Sequence, residues 1–404
     1  MVDRCYEGLK VLDFGRVVAA PHCARWFADL GADVIKVERP PEGDDTRGDP
    51  YRYPSGQSTA FMQQNWGKRS IALDLQKAPA IDIVRGLASW ADVLIENFRP
   101  GVMEKLGISY PILKEVNPRL IFCSISQYGQ TGPHATRRGY GPLAEAESGM
   151  SELTGELNGP PMPTQVAVAD NMAAGMAFGA IGAALYYRAK SDRGQHVDIS
   201  LLDAAFQMHE VAIQQVVATD GKLKMQRRGL YEETWVPGGY FEGRDGWICI
   251  MIGNESMWGP LVRAMGMPGL ADDPKYADFA ARAANRDDVY RLLRHWVAGL
   301  ESVDDGVNVL VEAGIPVGRV NDLVQAVHHP QLQARDMLPA RDHPTLGALR
   351  VMNSGLNFST TAGDVHGEPP ELGEHSWEIL QSLGYTEEDY KRLVGAAVVL
   401  GPAP

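Results

Sequence analysis

The sequence predicts an α/β fold: a large, doubly wound, Rossmann-like domain followed by a smaller α+β domain. Two observations predict it. Short β-branched runs alternate with helix-length amphipathic segments through the first third of the chain, and near residue 221 that texture stops. GLKVLDFG (8–15) reads as a strand, Pro21 suits a first helical turn, HCARWFADL makes the helix, and Gly31 ends it. ADVIKVERP gives the second strand and completes a βαβ unit. The pattern repeats as RSIALDL (strand), APAIDIVRGLASW (helix), ADVLIENF (strand), VMEKLG (short helix) and PRLIFCSIS (strand). Crossovers of this kind build a mostly parallel sheet with helices on both faces.

Beyond it, VAVAD (166–170) reads as a strand-like run ending in an acid. NMAAGMAFGAIGAALYYRA reads as a small-residue helix, QHVDISL as a strand, and 202–217 as one long helix. After an irregular GKLKMQRRGLYEETWVPGG, the stretch GYFEGRDGWICIMI reads as a hairpin turning at Arg244–Gly246. Helices at 256–266, 286–300 and 321–328 follow, with a strand pair around HPTLG. The tail GEHSWEILQSLGYTEEDYKRLV is amphipathic helix that returns to the large domain. The expected boundaries are 1–220, 221–345 and 346–404.

Of 404 residues, 45% are hydrophobic and 22% charged, an ordinary globular composition. The net charge of −13 argues against a nucleic-acid partner, while a local cation cluster can still hold one small anion. Cys5, Cys23, Cys123 and Cys249 lie far apart with no CxxC pair, so reduced, mostly buried thiols and no metal are expected. No run approaches the ~18 apolar residues of a membrane span, so a cytoplasmic chain with no membrane partner is expected. The first strand is followed by GRVVAAPH rather than GxGxxG, which weakens a nicotinamide-cofactor reading.

The candidate chemistry starts at Asp170, an acid among small and apolar neighbours at a helix start. One reading is an N-cap; the other is a poorly hydrated carboxylate nucleophile, kept ionised by the helix N-terminus. Arg16, Arg39 and the Asn97, Arg99, Lys105 set stand after the carboxyl ends of strands, where open α/β sheets bind ligands. Three cationic strand ends suit a phosphorylated ligand.

The chain resembles the family III CoA-transferases, which include formyl-CoA:oxalate and carnitine CoA-transferases. LKVLDFGRVVAAP, LGADVIKVERP, KRSIALDL, ADVLIENFRPGVMEKLG, YGQTGP, VAVAD, RGQHVDISLLDA and EAGIPVGRV carry the likeness over nearly the full length. The resemblance implies an interlocked dimer, either a homodimer or a heterodimer with a related subunit. It also implies Asp170 as a nucleophile that forms anhydride and aspartyl-CoA thioester intermediates between an acyl-CoA and a carboxylic acid. Tyr140 is implied close to it, against the alternative of a buried core tyrosine. Coenzyme A contacts are implied at Arg16, Val17, Arg39, Leu73, Asn97, Phe98, Lys105 and Arg138. Three departures stand out. Gly141 and Pro142 follow Tyr140 where many members have an acid, EETWVPGG replaces a closing glycine run, and Val18 stands where Gln is common. An α-methylacyl-CoA racemase is the rival reading, but Tyr140 stands where its catalytic His would be. A subunit of a heteromeric transferase is another.

Overall fold

The computed structural model describes residues 3–404 except Ser55 and Thr345, and the chain divides into two units. The larger comprises Met1–Met150, Pro163–Gln214 and Gln333–Pro404. Its sheet holds β1 (Lys10–Asp13), β2 (Asp33–Glu38), β3 (Arg69–Leu73), β4 (Val93–Glu96), β5 (Ile121–Ser126) and β6 (His196–Ser200). These are parallel in the order β3-β2-β1-β4-β5-β6, and Val399–Leu400 adds an antiparallel edge to β3. The winding therefore reverses between β1 and β4.

Side-chain alternation along β1 explains the layers. Val11 joins Cys23 and Phe27 of α1 (Ala19–Asp29) on one face. Leu12 joins Ile83 and Leu87 on the other. Those belong to α3 (Ala78–Trp90), which follows α2 (Thr59–Asn65). Then come α4 (Val102–Leu106), α5 (Tyr110–Val116), α6 (Gly141–Glu147), α7 (Met150–Leu153) and α8 (Val168–Ser191). The tail helix Ser376–Ser382 packs Ile379 and Leu380 into the α3 face.

Several expectations are corrected. The run before Asp170 is no strand: α8 already begins at Val168, because its small side chains pack closely on α1. The expected single helix over 202–217 is two, Leu201–Gln207 and Val211–Ala218. Glu210 between them takes a left-handed φ of 42° without a Gly or Pro to signal it. Helix α8, with 24 residues, is long and apolar enough to cross a membrane by length and composition, against the expectation of no such run. It lies instead within the α/β layers, and its buried Arg188 pairs with Asp92 at 3.0 Å. Cys5 is exposed, while Cys23 and Cys123 are buried thiols.

The smaller unit comprises Ser151–Met162 and Gln215–Leu332. β7 (Gly238–Gly243), β8 (Gly246–Met251) and β9 (Val317–Val320) form its antiparallel sheet. Phe241, Ile248 and Ile250 pack there against Trp258, Leu261 and Leu293. EETWVPGG is tied within this unit: Glu232 N–H donates to the Gly238 carbonyl, and Glu233 pairs with Arg286 at 3.4 Å. The strand pair Ala340–His343 and Gly347–Arg350, expected in the small domain, belongs to the larger unit; Val351 after it packs on Met62 and Trp66. Thr345, in the turn of that pair, lies outside the described residues.

Candidate active site

The reversal between β1 and β4 leaves a crevice at the carboxyl ends of the strands, and the chain builds its loops around it. The β1–α1 loop rests on buried charges. Lys36 donates to the Gly15 carbonyl at 2.8 Å and pairs with Asp44 at 2.9 Å. Lys68 donates to Asp13 at 2.7 Å, to the Pro21 carbonyl at 2.8 Å and to Asn65 at 2.9 Å. Asp13 in turn accepts the Gly15 N–H. Burial pushes the Lys68 ammonium down to about 8 against the pull of Asp13. These contacts fix the turn that carries Arg16 and Val17. Val17 is held at φ 68°, a left-handed conformation costing a β-branched residue about 1–3 kcal/mol, with its N–H on Asp44.

Asn97 closes the other side. Its side-chain oxygen accepts the Arg16 N–H at 2.8 Å, and its nitrogen donates to the Arg16 carbonyl at 2.9 Å. The carboxamide thus staples the ends of β1 and β4 together. Arg16 reaches out to pair with Asp45.

In front of this loop lies a cleft of about 590 Å³. Of the residues the sequence singles out, Arg16, Val17, Asn97, Phe98, Arg138, Tyr140 and Asp170 all line it. Arg39 lines a smaller cavity of about 170 Å³ with Arg16, Phe98 and Leu75. Leu73 is fully buried in the core, though Asp74 and Gln76 just beyond it line that smaller cavity. Lys105 is exposed on α4 and lines neither. Tyr140 is 75% exposed, which removes the alternative of a core tyrosine.

Asp170 is the third residue of α8, and the flanking cap is Ala167, so it is not an N-cap. Its place in the first turn still exposes it to the positive end of the helix. Burial, then the neighbouring Glu145 carboxylate, pushes its carboxyl up to about 6. Glu145 is itself buried, accepting from the Thr164 hydroxyl at 2.6 Å and the Ala169 N–H at 3.5 Å. The carboxylate leans on Gly141, where an added Cβ would stand 2.1 Å from Asp170 Oδ2. A residue with a side chain at 141 would displace it. A side chain at 141 would have to share this space with the carboxylate, and here Gly141 leaves it to Asp170.

Two polar residues at the carboxyl end of β5 escaped the sequence reading. Ser126 and Gln127 are each 7% exposed, line the cleft, and have side-chain atoms without hydrogen-bond partners among the described residues. Leaving such groups unmet costs about 1–3 kcal/mol each. Their place at a strand end beside a switch point was the available signal. Among the described residues, no cluster of His, Cys, Asp and Glu could hold a metal ion.

The sequence pattern described as CoA-transferase family III matches residues 6–376. The chain is 33% identical to a succinyl-CoA:glutarate CoA-transferase of Homo sapiens over 97% of this chain and 89% of that protein. It is also 33% identical to the beta subunit of a succinyl-CoA–L-malate CoA-transferase of Chloroflexus aurantiacus, over 97% of each. The crystal structure of a CAIB/BAIF family protein from Brucella suis superimposes with a TM-score of 0.84 at 34% identity. That match covers 94% of this chain and all of the other.

Proposed function

The chain belongs to CoA-transferase family III, and we propose that it moves CoA between carboxylic acids with Asp170 as the covalent carrier. Enzymes of this family act on CoA thioesters and carboxylates. The finer assignment rests on one observation: a carboxylate raised to about 6 in a helix first turn, against a glycine, on the wall of the cleft. At neutral pH it is mostly ionised yet poorly hydrated, the state that suits a nucleophile.

Asp170 attacks the thioester carbonyl, forming a mixed anhydride and breaking the C–S bond to release CoA thiolate. The thiolate attacks the aspartyl carbonyl of the anhydride, giving an aspartyl-CoA thioester and the free donor acid. The acceptor carboxylate attacks that thioester and expels thiolate again. Thiolate then takes the acyl group from the second anhydride and restores Asp170. No net proton is consumed, and the steps are close to isoenergetic.

CoA lies, in this reading, with its phosphates at Arg16 and Arg138 and its adenine toward Phe98, Arg39 and the Leu73 strand end. Val17 and Asn97 shape the loop rather than reach the ligand with their side chains, and Lys105 adds positive potential from outside. Arg16 must exchange Asp45 for a phosphate. Tyr140, exposed at the cleft, covers the reacting centre from the solvent side. The relatives' names carry short dicarboxylic acids, and we extend that class to this chain. Exposed Tyr186 and Tyr187 on α8, together with Phe206, give a surface for the interlocked second chain, whether an identical copy or a related subunit. The alpha and beta subunits named among the relatives support the second form.

Asp170→Asn tests the reading. The variant keeps its fold, and transfer from succinyl-CoA to glutarate falls by on the order of 10⁴ or more, as for other lost nucleophiles. Borohydride after incubation with an acyl-CoA marks position 170 only in the unmodified chain, read by peptide mass. A folded Asp170→Asn chain that retains transfer sinks the assignment, and solvent deuterium entering the α-position of a branched acyl-CoA would indicate racemisation instead.

A further inference from the structure

We propose that Gln127 determines substrate choice, its side-chain carboxamide binding the far carboxylate of a short diacid whose near carboxyl reacts at Asp170. This rests on the reading of Asp170 given above and adds the group that recognises the rest of the acid. Three observations carry it.

Gln127 is buried on the cleft wall, and neither Oε1 nor Nε2 makes a well-formed hydrogen bond among the described residues, with the Tyr128 hydroxyl as a polar neighbour. Native folds rarely leave a buried amide so, and a ligand that completes it explains the exception. The carboxamide also leans on Gly139, where an added Cβ would stand 2.4 Å from Cδ and 2.7 Å from Oε1. Asp170 takes the equivalent place over Gly141, two residues on.

Tyr140 between them is extended, with φ −144° and ψ 165°. The Cα atoms of 139 and 141 are therefore roughly 7 Å apart. Amide and nucleophile each rest against one of these two glycines, and both line the same cleft as Tyr140. A diacid of about four or five carbons, joined to Asp170 through one end, bridges such a gap by ordinary covalent lengths.

The chemistry of the far group follows from the surroundings. Nε2 donates a hydrogen bond that a carboxylate accepts more strongly than a neutral oxygen does. Ser126 Oγ, likewise unpartnered on the same wall, supplies a second donor. Arg99, Arg137 and Arg138 line the cleft and give it the positive potential that a second negative charge requires.

The test compares thioesters that share the CoA arm and differ in the acyl end. Binding of succinyl-CoA, butyryl-CoA and free CoA to the full chain carrying Asp170→Asn, which blocks turnover, is measured by calorimetry with and without Gln127→Met. Methionine matches the glutamine in length and lacks its polar atoms. The expected result is a loss of roughly ten- to hundredfold for succinyl-CoA, the range of a hydrogen bond to a charged group. Butyryl-CoA and CoA should stay within about twofold. Equal loss for all three ligands would place the amide on the pantetheine arm and overturn the proposal, as would no loss for any. Gln127→Glu, of nearly identical shape, guards against misfolding: it should repel succinyl-CoA and spare butyryl-CoA. Indifference of that variant to succinyl-CoA also overturns the proposal. Failure of the transferase reading shows itself separately, as an unmodified chain that binds thioesters but passes CoA to no acid.

Discussion

Two sides of one loop are built on opposite terms. Behind residues 15–17, Lys36, Lys68, Asp13 and Asp44 are buried and paired with one another or with carbonyl groups. In front of it, Ser126 and Gln127 are buried without a well-formed hydrogen bond among the described residues, and Asp170 has a like charge for a neighbour. Hidden polar groups are stable when satisfied and strained when not. The back shows a scaffold completed by the chain itself, whereas the front leaves polar groups open to the cleft.

That contrast can be broken from either side. The largest effect is expected at the back. Lys36→Met leaves Asp44 buried without its cation, while Asp13 keeps Lys68, and should destabilise the fold by about 3–5 kcal/mol. Calorimetric melting checks this, and adding Asp44→Asn should restore part of the loss. A Lys36→Met chain as stable as the parent would mean that the pairs carry no weight. In front, Gly141→Ala places a methyl group on the Asp170 carboxylate. Transfer should fall about 10²-fold, the effect of an ångström-scale misplacement, with little change in melting. Unchanged turnover in that variant would show that the carboxylate does not react from this position.

The smallest effect is on pH. The Asp170 carboxyl titrates near 6 in the fold against 3.8 in the open chain. The folded state therefore holds the extra proton between those values. The stabilisation this gives is complete below 3.8 and is lost as pH rises through 6. Asp170→Asn, which cannot ionise, should accordingly melt higher at pH 7, by about 1–2 kcal/mol after allowance for partial exposure. Activity runs the other way, falling about tenfold per pH unit below 6 as the nucleophile is protonated. A flat profile down to about pH 5 would argue against a nucleophile of raised pKa.

Much of this molecule was legible before its structure, and the remainder was not for identifiable reasons. β1 through β5 announce themselves as short apolar runs between glycine and helix signals, and a parallel sheet follows from their spacing. The edge strand Val399–Leu400 could not be read, because two residues carry no period and only β3 recruits them. The break at Met208–Glu210 likewise lies in tertiary packing, not in any local turn residue. Asp170 stands out for its incongruity, but its helix starts at Val168, three residues before the expected 171, since Val168 and Ala169 suit either structure. Asn97 lines the cleft as a ligand contact would, and its carboxamide also staples the β1 and β4 ends, a role its sequence context does not signal. Gln127 was passed over because a lone glutamine has no pattern, and its meaning comes from the glycine it rests on.

The segment Gly139–Tyr140–Gly141 bears on two groups without supplying either. Gln127 follows β5 and Asp170 belongs to α8, yet each rests against one of its glycines. A side chain added at either glycine would press on one of the two groups and spare the other, so the pair can be disturbed one member at a time.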